Sequence, residues 1–217
     1  MIVIATHNGK DVIKNLLLDI KSFNIPNNEI CIVDNKSSNS YISYLMGLKY
    51  MGYKVLLNPI PSYMTGAFRL AIDTFKSDVW FCLQDSIRIK QNIFEQITPL
   101  LTDKNVYTFL TFNSQEILGN PGVREFINFN YHMNSYKTGL FGVMFFAKDS
   151  VVQQVKNDWI IPKNKWEDAS MEIGIGLVFE KYNIEIIGMD VYDGSKINIY
   201  EGSTVYPFFD KICKKRQ

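Results

Sequence analysis

The chain alternates short apolar runs with stretches whose apolar residues recur every three or four positions. Ile2–Ala5 is an unbroken apolar run that stops at Thr6-His7-Asn8-Gly9, the pattern of a buried strand feeding a turn. From Lys10 the period changes. Val12, Ile13, Leu16, Leu17, Ile20 and Phe23 form the stripe of an amphipathic helix, which Pro26-Asn27-Asn28 ends. Ile30–Val33 reads as a second strand, closing at Asp34-Asn35-Lys36-Ser37-Ser38, and a helix over Tyr41–Tyr50 runs to Gly52. Tyr53–Leu57 is a third strand, stopped at Asn58-Pro59. A helix over about Tyr63–Phe75 carries Phe68, Ile72 and Phe75 on one face, and a fourth strand, Val79–Leu83, runs into Gln84-Asp85-Ser86. This βαβαβαβ order predicts an α/β fold with a mostly parallel central sheet and helices on both faces. Ligands of such sheets sit at the carboxyl ends of the strands, where the polar tips gather.

The second half is less regular. Phe94–Leu101 reads as helix, Val106–Phe112 as strand, and Asn113–Thr138 as loop-rich, with Asn120-Pro121-Gly122 and the aromatic residues Phe126, Phe129, Tyr131 and Tyr136. That aromatic group reads as core, with a platform for sugar rings as the other reading. Gly142–Phe146 is a further strand, Trp166 to about Tyr182 a helix weakened by Gly174 and Gly176, and Ile184–Ile187 a last strand. With no linker, repeat or low-complexity segment, the expectation is a single domain, its first half to about residue 112 and its second from there to 217.

Composition removes several classes of function. The 23 basic and 22 acidic residues leave a formal charge of +1, without the excess of a nucleic-acid-coating protein. No apolar run approaches the roughly 18 residues of a membrane span, and the N-terminus lacks a signal-peptide pattern. Cys31, Cys82 and Cys213 cannot all pair, so buried reduced thiols and a cytoplasmic home are expected. The sequon Asn35-Lys36-Ser37 lies among the polar strand ends, where a glycan would obstruct a ligand, and this favours the same compartment. Arginine is scarce, 4 against 19 lysines, so an arginine near a candidate site draws attention.

Some chemistries lack their residues. There is no G-x-G-x-x-G after the first strand, no phosphate loop of the G-x-x-x-x-G-K-[ST] type and no G-x-S-x-G elbow. His7, His132 and three scattered cysteines make no zinc set. What remains is the series of polar strand ends. The order Ile4-Ala5-Thr6-His7-Asn8, Val33-Asp34-Asn35-Lys36-Ser37, Asn58 through Gly66-Ala67-Phe68-Arg69, then Trp80-Phe81-Cys82-Leu83-Gln84-Asp85-Ser86 resembles the GT-A fold glycosyltransferases, especially the family-2-like enzymes. Those enzymes place T-x-N, V-D-[DN]-x-S, an N-x-G helix and D-x-D at these points. The match in order and spacing covers about the first 90 residues and loosens towards residue 190.

The resemblance implies a GT-A-like, Rossmann-like domain with a nucleotide-sugar half and an acceptor half. It implies that Asp34 accepts a hydrogen bond from the base, with Thr6, His7, Asn8 and Asn35 around base and ribose; an Asx turn is the structural alternative for Asp34. Arg69 would meet the diphosphate through its fork of donors. The D-x-D element is eroded to Gln84-Asp85-Ser86, leaving Asp85 as the implied ligand of Mn²⁺ or Mg²⁺, aided by Asp190 or Asp193. A metal-free site neutralised by Arg69 or Lys196 is the alternative. Gln84 stays on the nucleotide side.

Trp166-Glu167-Asp168 resembles the family's E-D element, which makes Asp168, with Glu167 beside it, the implied base of an inverting transfer; Glu172 shares the helix face of Asp168. Acids complementing a helix dipole are the alternative. The implied activity is hexosyl or deoxyhexosyl transfer from a UDP-sugar to a glycan or glycoprotein hydroxyl. Two rivals remain: a catalytically inactive nucleotide-sugar or glycan-binding module, and a sugar nucleotidyltransferase, for which His7-Asn8-Gly9-Lys10 is a poor loop. The tail Lys211, Lys214, Lys215 and Arg216 reads as a solvated end.

Overall fold

In the computed structural model, which describes residues 1–113, 121–131, 138–191, 197–198, 203–204 and 206–211, the first strand β1 (Ile2–Thr6) is buried along its whole length. It pairs in parallel with β2 (Ile30–Asn35) on one side and β4 (Val79–Gln84) on the other, and β3 (Lys54–Asn58) extends the sheet beyond β2. Parallel neighbours need crossovers, and these are α1 (Lys10–Ser22), α2 (Asn39–Tyr50) and α3 (Tyr63–Thr74). Alternation along β1 divides the core. Ile2 and Ile4 pack with Ile13, Leu16, Ile20 and Leu45 of α1 and α2, whereas Val3 and Ala5 pack with Ala67, Phe68, Ala71 and Ile72 of α3. An apolar run without polar alternation is therefore what this strand needs, because both its faces are covered.

Beyond β4 come β5 (Ile87–Ile89), α4 (Ile93–Ile97), β6 (Asn105–Asn113), α5 (Pro121–Tyr131), β7 (Thr138–Leu140), β8 (Phe145–Lys148), α6 (Asp149–Val155), α7 (Lys165–Lys181) and β9 (Glu185–Val191). Short pieces β10 (Ile197–Asn198), β11 (Ser203–Thr204) and β12 (Phe209–Lys211) follow. The main sheet runs β3-β2-β1-β4-β8-β6-β7, with β9 parallel on the other edge of β6. Only β7 and β8 oppose the remaining strands, so the sheet is mostly parallel, as expected for a single GT-A-like domain.

Four local expectations change. The stretch read as loop holds α5: Pro121 occupies a first-turn position, where its missing N–H is no loss, and Val123 and Ile127 bury one face. The helix expected over Phe94–Leu101 ends at Ile97 and tightens into a 3₁₀ turn over Thr98–Leu100, at Pro99. The strand expected over Gly142–Phe146 begins only at Phe145, after a kink at Gly142 (φ +66°) and Val143 (φ +58°), and β7 and β8 follow one another along the same edge of β6. The start of the tail is not free, since β12 pairs antiparallel with β5 and Phe209 is buried against Phe109. Gly176 in α7 lets the helix sit on β7, because a Cβ there would lie 2.3 Å from the Thr138 carbonyl oxygen. Cys31 and Cys82 are buried free thiols, and burial pushes the Cys31 thiol up to about 12. Cys213 lies outside the described residues.

Candidate active site

Strands β1, β2 and β4 end side by side, with Thr6 in register with Asp34, and Ala5 with Gln84. Their ends meet Pro61, Tyr63 and Met64 at the entry to α3 and Asp168 on α7, and together they enclose a cleft of about 500 Å³. Thr6, His7, Asn35, Lys36, Gln84, Asp85 and Ser86 line it from the strand side. The structure thus brings together most of the residues singled out from sequence, and two carboxylates, Asp85 and Asp168, reach the cleft from opposite halves of the chain.

Asp85 is 4% exposed and held from below. The Thr6 hydroxyl donates to its Oδ2 at 2.7 Å, which leaves Tyr41 of α2 as the donor to Thr6 Oγ1 at 2.5 Å. Burial raises the Tyr41 pKa, so its hydroxyl keeps the proton that this chain requires. From sequence Tyr41 was legible only as the start of a helix, and its place beneath Thr6 and Asp85 is visible only in the structure.

The loops after β1 and β2 are stapled together. Asn8, in the left-handed region (φ +50°), donates its N–H to Ser37 Oγ at 2.8 Å and accepts from the Ser38 N–H at 2.9 Å. His7 Nδ1 donates to the Asn35 carbonyl at 2.8 Å and Nε2 accepts from Asn8 at 3.2 Å, which fixes the tautomer with the proton on Nδ1. The Asn35 amide donates to the Tyr63 carbonyl at 2.7 Å and so ties β2 to the start of α3.

Asp34 is placed differently from the expectation. It is 1% exposed and does not line the cleft. Its Oδ2 accepts the Ser37 N–H at 3.0 Å, the turn geometry named as the alternative, and its Oδ1 is buried with no hydrogen-bond partner. The turn after β2 is the reason: Asp34 folds over to hold the Ser37 N–H, and Asn35 and Lys36 are left to line the cleft.

Arg69 does not reach the cleft either. Its guanidinium pairs with Asp73 at 2.7 Å, one turn along α3, and donates to Asn157 Oδ1 at 2.9 Å and to the Lys156 carbonyl. Asp190 lies on β9 away from the cleft, its carboxylate accepting the Val191 N–H at 2.8 Å. Asp193, Lys196, His132, Tyr136, Lys214, Lys215 and Arg216 lie outside the described residues.

The adjacent acids of α7 separate cleanly. Asn164 caps the helix by accepting the Trp166 and Glu167 N–H groups, each at 3.0 Å, and Glu167 accepts in return from Asn164 Nδ2 at 2.7 Å and the Lys163 N–H at 2.8 Å. Glu167 is thus part of the helix cap. Asp168 is half-buried in the cleft wall, with the Met64 N–H 3.4 Å from Oδ1. Burial lifts its pKa from 3.8 to about 6, against the opposing pull of that N–H and of Lys165. One turn on, Glu172 accepts the Gly142 N–H at 3.0 Å, while the Gly142 carbonyl accepts Gln84 Nε2 at 2.6 Å. This strut joins α7 to the end of β4 through the kink between β7 and β8.

Among the described residues no three His, Cys, Asp or Glu side chains gather to hold an ion. Asp85 and the neighbouring Ser86 offer hard oxygen donors on the cleft wall, which suits Mg²⁺ or Mn²⁺ when phosphate oxygens complete the shell.

The sequence model of glycosyl transferase family 2 matches residues 1–137, well over half of the chain. The chain belongs to that family.

No curated protein sequence matches this family 2 member. Among solved structures it is similar to S. aureus TarS 1–349 in complex with UDP: 13% identity, TM-score 0.55, covering 88% of this chain and 58% of that one. It is similar to the mannosyltransferase PcManGT of Pyrobaculum calidifontis, solved with GDP-Man and Mn²⁺, at 12% identity and TM-score 0.55, covering 88% and 55%. It also resembles a Methanothermobacter nucleotidyl transferase at 10% identity and TM-score 0.52, covering 88% and 87%. At these identities the likeness establishes the fold, and the chain spans little more than half of the two glycosyltransferase chains. No helix among the described residues is long and apolar enough to cross a membrane.

Proposed function

We propose that this family 2 glycosyltransferase moves a sugar from a UDP-linked donor to a hydroxyl of a glycan or glycoprotein acceptor, inverting the anomeric centre, in the cytoplasm. The observation that carries the reading is the convergence of Asp85 and Asp168 on one cleft, the second with its pKa lifted to about 6. A base poised near working pH removes a hydroxyl proton more effectively than an ordinary surface carboxylate. The nucleotide lies along the strand ends, its base against His7, Asn35 and Lys36, in a loop that Asn8 and Asp34 hold in shape. The diphosphate lies beside Asp85 and Ser86, and Lys36 supplies positive charge from the rim. Asp168 faces it across the cleft and orients the acceptor oxygen for in-line attack on the anomeric carbon.

Asp85 would hold Mn²⁺ or Mg²⁺ jointly with the diphosphate, and a cation there neutralises the charge of the leaving group. UDP in the TarS structure and GDP-Man with Mn²⁺ in PcManGT support a nucleotide-sugar and metal-assisted reading. The nucleotidyl transferase reading shares the fold but wants a long cationic loop after β1; here α1 begins at Lys10, four residues after β1 ends.

The experiment is a melting-temperature screen of nucleotide sugars with and without Mn²⁺, followed by UDP release from each hit. UDP-sugars should raise the midpoint, because a ligand that binds only the native state stabilises it, and UDP release should vanish in Asp85→Ala. If UDP binds but no donor is hydrolysed or transferred, the protein is a binding module. If no nucleotide shifts the midpoint, the site assignment fails.

A further inference from the structure

We propose that Tyr41 is a positioning residue that acts on Asp85 through Thr6, so that the hydroxyls of helix α2 and strand β1 set the carboxylate that meets the metal and diphosphate. The inference rests on the metal-assisted reading of this cleft and adds a residue that lies outside its lining. All three side chains are buried, with Thr6 3% exposed, Tyr41 4% and Asp85 4%, and only Thr6 and Asp85 touch the cleft. The donors can run only one way. Asp85 Oδ2 accepts from Thr6 at 2.7 Å, so the Thr6 proton is committed, and Thr6 Oγ1 must accept from Tyr41 at 2.5 Å. A hydroxyl that accepts one bond while donating another is a stronger donor, and the low local dielectric strengthens both.

The ring of Tyr41 is fixed independently. It lies in the core beneath β1 and β2 and stacks on Tyr44 with centroids 6.0 Å apart. The relay thus starts from a side chain that cannot drift and ends on one that must keep its orientation. Thr6 is first a link in this relay, which is why a threonine and not an apolar residue ends the otherwise apolar β1. The eroded D-x-D gives the relay its importance. With Gln84 and Ser86 flanking it, Asp85 has no carboxylate next to it in sequence, and the orientation of one side chain carries what a pair carries in an intact D-x-D.

Tyr41→Phe removes one oxygen and leaves the ring. UDP affinity is measured by calorimetry with and without Mn²⁺, alongside a ligand-free crystal structure of the variant. The expected result is an unchanged metal-free affinity and a loss of about fivefold in the enhancement by Mn²⁺, the scale of a lost hydrogen bond between neutral hydroxyls. Asp85 should be turned away from its Oδ2–Thr6 geometry in the variant structure. Thr6→Val breaks the same relay from the strand, so the enhancement by Mn²⁺ should fall in it too, and no further in the double variant, because links in series are not additive. A Tyr41→Phe protein with the full Mn²⁺ enhancement, or with Asp85 unmoved, overturns the relay. Wild-type protein whose UDP affinity ignores Mn²⁺ overturns the metal-assisted reading instead, and the variant structure then still decides whether Tyr41 holds Asp85.

Discussion

Asp168→Asn should inactivate transfer and stabilise the protein, and the second effect should depend on pH in a calculable way. Burial raises the carboxyl pKa from 3.8 to about 6, so the folded state holds that proton more tightly than the unfolded chain does. A raised pKa contributes stability that is complete below pH 3.8 and is lost as pH rises through about 6. At about 1.4 kcal/mol for each tenfold change in proton affinity, the ionised group costs about 3 kcal/mol at pH 8. The cost is less if water reaches the half-buried carboxylate. An amide keeps the shape, still accepts the Met64 N–H and carries no such cost. At about 2–4 °C per kcal/mol for a chain of this size, the variant should melt about 6–12 °C above wild type at pH 8 and nearly level with it at pH 4. Melting curves of both proteins from pH 4 to pH 8 test this. A gap that stays constant across the range would show that Asp168 does not titrate near 6, and the case for it as base would fall with it. Wild-type transfer should follow the same titration, rising about tenfold per pH unit below 6 and levelling above it.

Arg69→Ala should leave UDP affinity unchanged while lowering stability by about 1 kcal/mol, since it breaks a half-exposed pair with Asp73 and two contacts to the Lys156–Asn157 turn. Calorimetry and a urea melt separate the two effects, and a large loss of UDP affinity would return Arg69 to the diphosphate. Asn164→Ala should lower stability by about 1 kcal/mol through the lost cap. Glu167→Gln, which keeps acceptor oxygen for the cap, should transfer at close to the wild-type rate, and inactivation by that change would make Glu167 the base. Gly142→Ala should reduce turnover as well as stability, because the position is left-handed and its Cβ would fall 2.5 Å from Gln84 Nε2.

The βαβ half was legible because its signals are local. An apolar run, a 3.6-residue stripe and polar strand tips depend on neighbours in sequence, and the structure places β1, α1, β2, α2, β3, α3 and β4 within about two residues of those signals. The second half depends on contacts distant in sequence. Pro121 reads as a turn until a helix uses it as an opening residue, and Gly142 reads as strand until its carbonyl is seen accepting Gln84. The site shows the same division. That Asp34, Asn35 and Asp85 sit at strand ends follows from pattern, but which of them reaches the cleft depends on how each following turn folds. Asn35 lines the cleft, whereas Asp34 is buried and holds the turn at Ser37. Arg69 was singled out because arginine is rare here, and rarity carries no information about direction.

One consequence of the fold joins these points. Asp85 directly follows the end of β4 and Asp168 lies in the first turn of a helix 83 residues later, so their shared cleft needs α7 to be registered against β4. Two contacts supply that registration. Gly176 brings the helix down onto the Thr138 carbonyl, and Glu172, one turn from Asp168, grips the Gly142 N–H while the Gly142 carbonyl takes Gln84, the residue before Asp85. The kink that divides β7 from β8 therefore links the wall that carries Asp85 to the wall that carries Asp168. Gly142 takes the left-handed conformation at little cost, and the strain falls on Val143 (φ +58°), where surrounding contacts hold it. Glu172→Gln should consequently lower turnover while sparing UDP affinity, because it weakens the grip on α7 and leaves the nucleotide wall intact. Equal losses in both would instead make Glu172 part of the donor site.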